Sequence, residues 1–176
     1  MKRNDEVEPA AVVRIEGLSF PVWLRGCRIS RLELPDLDGG TAGCGEGRPA
    51  AIIDLKKGKG PPGNRCLAEL GEFLEALLGG EEPPAPPPVD IEGFTPFTGL
   101  VLEAVAEIPW GVTRSYSWVA ERVGRPGAAR AVGGAVGSNP VPLLLPCHRV
   151  IRSNGAIGGW SGKPGWKEWL LELEAR

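Results

Sequence analysis

The chain of 176 residues contains no glutamine, and only one histidine, one tyrosine and one methionine. A single imidazole excludes metal sites built on histidine pairs. The four cysteines, Cys27, Cys44, Cys66 and Cys147, form no Cys-x-x-Cys pair, so no bound metal is expected. No apolar stretch reaches the roughly 18 residues needed to cross a bilayer. The polar opening, Met1 to Glu8, does not resemble a secretory leader. No membrane partner is expected, and the expected location is the cytoplasm. Scarcity of thermolabile side chains beside eighteen prolines is a thermophile tendency. It predicts a thermostable protein, and in such a cell two of Cys27, Cys44 and Cys66 could pair as a disulfide.

Acidic residues are scarce in one region only. Between Pro109 and Lys167, eight positive side chains (Arg114, Arg122, Arg125, Arg130, Arg149, Arg152, Lys163 and Lys167) face Glu121 alone, a net +7. The whole chain carries −2, so the rest carries −9. This asymmetry suggests a basic face for an anionic partner, with an Arg-rich solvated surface as the alternative.

The first half reads as a small α/β unit. Ala11–Ile15, Phe20–Leu24, Ile29–Leu34 and Ala51–Leu55 are short apolar or alternating runs that predict strands, and 36–49 reads as a Gly-rich loop. Leu67, Leu70, Phe73, Leu74, Leu77 and Leu78 recur at helical spacing until Gly79-Gly80. A proline-rich linker follows. The expected class is mixed α/β (α+β), with an N-terminal support domain over 1–80, a linker over 81–90, and a mainly helical domain over 91–176.

Thr95 and Pro96 mark a helix start, and Phe97, Leu100, Val101, Val105 and Ile108 form its apolar stripe up to Pro109. Ser115 caps a short helix over Tyr116–Val123, which Gly124 ends. A second helix covers Ala128–Val136. Such a pair inside a basic segment fits a helix-turn-helix, or an ordinary helical hairpin. The second helix holds Gly133 and Gly134, each costing about 1 kcal/mol relative to alanine. Close approach to a nucleic-acid groove and close packing on another helix explain this equally well. Ser153-Asn154-Gly155 is a turn and 157–162 a loop. A last helix starts near Pro164, with Trp166, Trp169, Leu170 and Leu173 as its packing face.

Cys147 and His148 are adjacent, after an apolar run that reads as a buried strand or extended segment because Pro142 and Pro146 exclude a regular helix. A buried cysteine is more often a small hydrophobe than a nucleophile. The surrounding motifs weigh against that reading here: Ile108-Pro109-Trp110-Gly111, Ser115-Tyr116, Ala128-Ala129-Arg130-Ala131-Val132-Gly133, Asn139-Pro140, Pro146-Cys147-His148-Arg149-Val150 and Lys167-Glu168-Trp169-Leu170-Leu171. In this order and spacing, over about residues 92–174, the chain resembles the O6-alkylguanine-DNA alkyltransferases.

That resemblance implies repair of double-stranded DNA carrying O6-alkylguanine, with O4-alkylthymine as a further candidate. The alkyl group passes to the protein's own cysteine after base flipping, in one turnover, without a cofactor and as a monomer. It implies Cys147 as acceptor and His148 as its base, acting through a water. Glu174 would orient the imidazole, with Glu172 as the alternative. Tyr116 would donate to the leaving guanine and Asn139 would tie down the cysteine segment. Arg130 would fill the gap in the base stack, with Ser115, Arg125, Ala129, Ala131 and Gly133 along a minor-groove contact. Val136, Pro142, Val150, Trp160 and Ser161 would form the base pocket, with carbonyls of Cys147 and Val150 reading the guanine amino group. Trp160 stands where the family has tyrosine. Rival readings are a non-catalytic binder of alkylated DNA, a methylation-sensing regulator and a cysteine hydrolase. The first lacks the cysteine, the second lacks a visible effector domain, and the third needs a direct Cys–His pair that neighbours rarely form.

Overall fold

The computed structural model describes residues 9–37, 52–54, 64–160 and 162–176. Ala51, Leu55 and most of the 36–49 loop lie outside them.

The N-terminal sheet has the order β3-β2-β1-β4. Strands β1 (Ala11–Ile15), β2 (Leu18–Arg25) and β3 (Arg28–Leu32) form an antiparallel meander, and β4 (Ile52–Asp54) joins β1 in parallel. The β1–β2 turn places Glu16 and Gly17 at φ 51° and 87°. Two successive positive φ values match the right-handed twist of a hairpin. Helix α1 (Arg65–Gly79) starts where the Asn64 side chain accepts from Leu67 N, and closes at left-handed Gly80 (φ 79°). Its leucines and Phe73 are buried among the residues of the sheet.

Residues 81–88 have no regular structure. Val89 then bridges to Ile29, and Ile29 N donates to Pro88 O at 2.9 Å. One apolar core joins Phe20, Leu70 and Leu74 to Leu102, Leu143–Leu145, Trp166 and Leu170. Trp166 meets Phe20 edge-on at 6.0 Å and donates its indole N–H to Pro35 O at 2.7 Å. A second core, of Val101, Val105, Ile108, Val119, Val132, Val136, Cys147 and Val150, lies within the C-terminal half.

Helix α2 (Pro96–Ala106) is capped by Thr95 and ends before Pro109. Its stripe differs from the expected one: Leu100 is 51% exposed while Leu102 is fully buried. The helix lies between both cores, so the face holding Leu102 is covered from the other side. Helices α3 (Tyr116–Arg122) and α4 (Ala129–Gly137) form the expected pair, joined through Gly124 and Gly127 at φ 69° and 87°. Strand β5 (Arg114–Ser115) pairs in parallel with β6 (Val150–Ile151). Helix α5 (Trp166–Glu174) completes the chain.

One expectation is corrected. The run before Cys147 is no strand. Val141 to Leu145 forms a tight turn with Leu145 N bonded to Val141 O and a Pro142–Leu145 bridge. Leu143 takes φ 73° with its side chain 1% exposed. A left-handed non-glycine costs about 1–2 kcal/mol; full burial of a leucine contributes about 1.5–3 kcal/mol, enough to hold it. Cys27 and Cys66 are both free thiols, so they do not pair with each other; Cys44 lies outside the described residues.

Candidate active site

Pro146 closes the turn, and Cys147–Arg149 makes one turn of 3-10 helix before β6. No direct hydrogen bond joins Cys147 and His148 among the described residues.

Cys147 is 2% exposed and belongs to the second core. Its Sγ accepts the indole N–H of Trp160 at 3.2 Å. Burial pushes the thiol pKa up; hydrogen bonds from Trp160 and Asn139 and the charge of Lys167 pull the other way without overcoming it. The resting group is a thiol that needs a base. Asn139 holds the preceding turn: its amide donates to Leu145 O at 2.9 Å and its carbonyl accepts from Val141 N at 3.0 Å.

His148 is fully buried, and its Nε2 lies 2.7 Å from Glu174 Oε1. Burial lowers its pKa against the pull of Glu174, so the ring is neutral at pH 7. Burial raises the Glu174 pKa, but hydrogen bonds from His148 and Arg149 outweigh it and leave the carboxyl at about 2. An ionised carboxylate can only accept. Nε2 therefore carries the proton, and Nδ1, buried without a hydrogen-bond partner among the described residues, offers its lone pair. The ring is set as a base.

Glu174 is held by more than the histidine. Arg149 Nε donates to Oε2 at 2.9 Å and its Nη2 to Oε1 at 3.0 Å, while its Nη1 reaches Ile108 O at 2.7 Å. Arg149 also lies over the Trp110 ring at 5.6 Å. Gly111 N donates to Oε2 at 3.2 Å. A Cβ at Gly111 (φ 70°) would sit 3.1 Å from Glu174 O, so glycine alone fits this bend. Glu172 is exposed and does not take this place. Lys167, 1% exposed, donates to Val150 O at 2.7 Å and lies 5.8 Å from the Tyr116 ring centroid.

Arg149 and Lys167 thus leave the expected basic face for the interior. Composition does not show which cations are buried, so in the sequence both count toward the surface charge. Arg122 pairs with Glu107, and Lys163 with Asp36. Arg125, Arg130 and Arg152 have no carboxylate partner among the described residues.

A cavity of about 450 Å³ opens at Cys147, with Val136, Pro142 and Trp160 on its walls. Leu32 and Leu34 of the N-terminal half line it as well. Val150 does not line it: the residue is wholly buried, and its carbonyl already accepts from Lys167. The Cys147 carbonyl likewise accepts from Val150 N. Each keeps one lone pair. Ser161 lies outside the described residues.

Beside it, a depression of about 650 Å³ is lined by Tyr116, Ala129, Arg130, Gly133, Arg152 and Gly159, among others. Arg130, Ala131 and Arg125 are exposed. Tyr116 donates its hydroxyl to Gly159 O at 3.3 Å, and burial raises its pKa, keeping it a donor. Ser115 spends its hydroxyl capping α3, accepting from Trp118 N at 3.0 Å. Gly133 and Gly134 of α4 are not needed for internal packing. A Cβ at Gly134 would meet nothing within 4 Å, and one at Gly133 only Tyr116 at 4.0 Å.

A family model described as 6-O-methylguanine DNA methyltransferase, DNA binding domain, matches residues 96–176. The methylated-DNA–protein-cysteine methyltransferase of Mycobacterium leprae is 45% identical over 113 residues, 64% of this chain and 68% of that protein. The protein of the same name from Shigella flexneri is 51% identical over 82 residues, 47% of this chain and 48% of its own length. The crystal structure of Mycobacterium tuberculosis OGT in complex with DNA superposes with a TM-score of 0.70 at 31% identity, covering 94% of this chain and 92% of that one. The chain belongs to the methylated-DNA–protein-cysteine methyltransferases. As a member of that family it offers one buried sulfur, Cys147, at the base of an open cavity, and sets a neutral histidine in the next position.

Proposed function

We propose that this chain repairs DNA by moving an alkyl group from O6 of guanine to the sulfur of Cys147. The observation that carries the reading is the setting of His148: Glu174 takes one ring nitrogen, leaving Nδ1 as a base next to a buried thiol in a cavity. The proton leaves Sγ for His148 through one water, since the two residues are not in direct contact. The thiolate then attacks the alkyl carbon. The S–C bond forms as the C–O6 bond breaks, and that electron pair goes to the guanine. Tyr116 donates to the base as charge gathers on it. Asn139 keeps the cysteine turn in place. The thioether is stable, so each molecule acts once, without a cofactor.

The target base must leave the duplex to reach Cys147. Arg130 fills the gap it leaves. The small side chains of α4 (Ala129, Ala131 and Gly133) let the helix sit in the minor groove, with Ser115 and Arg125 at its border. Room for a methyl at Gly133 and Gly134 supports this over helix packing as the reason for them. Val136, Pro142 and Trp160 surround the flipped base, and the spare lone pair of the Cys147 carbonyl reads its amino group. The protein acts as a monomer in the cytoplasm. Residues 1–80 support the acceptor domain of 91–176 through the 81–90 linker.

The test is a duplex bearing one radiolabelled O6-methylguanine. Label should move to the protein, and Cys147→Ala should abolish transfer while still binding the duplex. Label that stays on the DNA with intact protein refutes the reading.

A further inference from the structure

The indole of Trp160 brings a hydrogen-bond donor to the reacting sulfur. We infer that Trp160 is a catalytic residue of this chain: its Nε1–H holds the Cys147 thiolate by a hydrogen bond that a phenylalanine ring at this position would not supply. The inference rests on the reading of Cys147 as acceptor.

Three observations place it. The indole nitrogen is 3.2 Å from Sγ, and indole N–H is a donor with no competing acceptor role. Trp160 packs against both cores, so the contact is held from two sides. Gly162 is shaped for the ring: a Cβ there would lie 2.8 Å from Cζ3 and Cη2 and 2.9 Å from Cε3 of Trp160. Any larger residue at 162 would push the indole off the sulfur. The Gly162 backbone is outside the left-handed region, so glycine is required by the neighbouring ring rather than by its own φ.

The bond changes strength along the reaction. A thiol sulfur is a weak acceptor and a thiolate a strong one, so the N–H favours the charged form. Burial opposes ionisation of Cys147, and the Trp160 hydrogen bond acts against it. Once carbon bonds to sulfur the group is a neutral thioether, and the donor is released. Trp160 thus favours the attacking state over both the resting and the spent one.

The experiment titrates Cys147 without DNA. The full chain is treated with iodoacetamide across pH, and modification of the Cys147 peptide is followed by mass spectrometry. Trp160→Phe keeps the aromatic wall and removes the donor; Gly162→Ala keeps the donor and displaces it. Both should raise the midpoint of the Cys147 profile by about one unit and slow alkylation from lesion-bearing DNA about tenfold at pH 7. A midpoint that stays at the wild-type value in both variants overturns the inference. Failure of the wild type to take an alkyl group from DNA would overturn the acceptor reading instead, and leaves a separate signature because the titration needs no DNA.

Discussion

His148 Nε2 and Glu174 Oε1 lie 2.7 Å apart across 26 residues of sequence, both shielded from solvent. This contact decides which imidazole nitrogen is the base, and it ties the last turn of α5 to the cysteine turn.

Acid should weaken the fold in two stages. His148 is held neutral by burial, so the stability it contributes is present above its ordinary 6.5 and falls as pH drops below that. Glu174 is depressed from 4.5 to about 2, so its contribution is present above 4.5 and is lost as pH falls toward 2. Melting temperature against pH should decline on both segments. Glu174→Gln should flatten the lower one and slow alkyl transfer roughly ten- to hundredfold, by analogy with metal-ligating histidines that lose an orienting carboxylate. A transfer rate equal to wild type would contradict the role.

Arg149→Leu should cost about 3–5 kcal/mol in urea unfolding, because it leaves a buried carboxylate short of donors. Arg149→Lys should recover only part, since an ammonium cannot span both Glu174 oxygens and Ile108 O. A loss within about 0.5 kcal/mol, typical of surface sites, would place Arg149 outside the core.

Much of this arrangement was legible in the sequence, and what was not has physical causes. Caps at Thr95 and Ser115 and the left-handed Gly80 act locally, so nearest neighbours reveal them. The 141–145 run was misread because prolines and leucines in an extended run look alike whether they pair or turn. Only the tertiary core that buries Leu143 makes its backbone tolerable. Leu100 and Leu102 exchange roles because a helix between two cores has two buried faces. Arg149 and Lys167 hid among surface cations, although Arg149 stands two residues from the acceptor. The two-residue pairing of β5 with β6 joins positions 114–115 to 150–151 and leaves no periodic trace.

Gly134→Ala should raise stability by up to about 1 kcal/mol, as the added methyl meets open space inside a helix. The same methyl should weaken duplex binding if α4 presses into a groove. Improved stability with unchanged DNA affinity would count against that approach.

Arg130→Ala should leave melting within about 0.5 kcal/mol, since the side chain is exposed. Repair should slow on duplex substrate and not on free O6-benzylguanine, where nothing needs to be flipped. Equal slowing on both would move Arg130 from extrusion to chemistry.

Alkylated protein should melt lower than fresh protein. Cys147 is 2% exposed and in contact with Trp160, and an extra methyl in a packed site costs about 1–3 kcal/mol. Coincident melting curves would show that the cavity absorbs the group without strain.

The most direct measurement is peptide mass spectrometry of the chain mixed with an excess of duplex carrying O6-methylguanine. The account predicts one added methyl on the Cys147 peptide, none on Cys27, Cys44 or Cys66, and lesions lost in equal number to proteins consumed. An unmodified Cys147 after lesion loss, or several lesions removed per protein molecule, would contradict it.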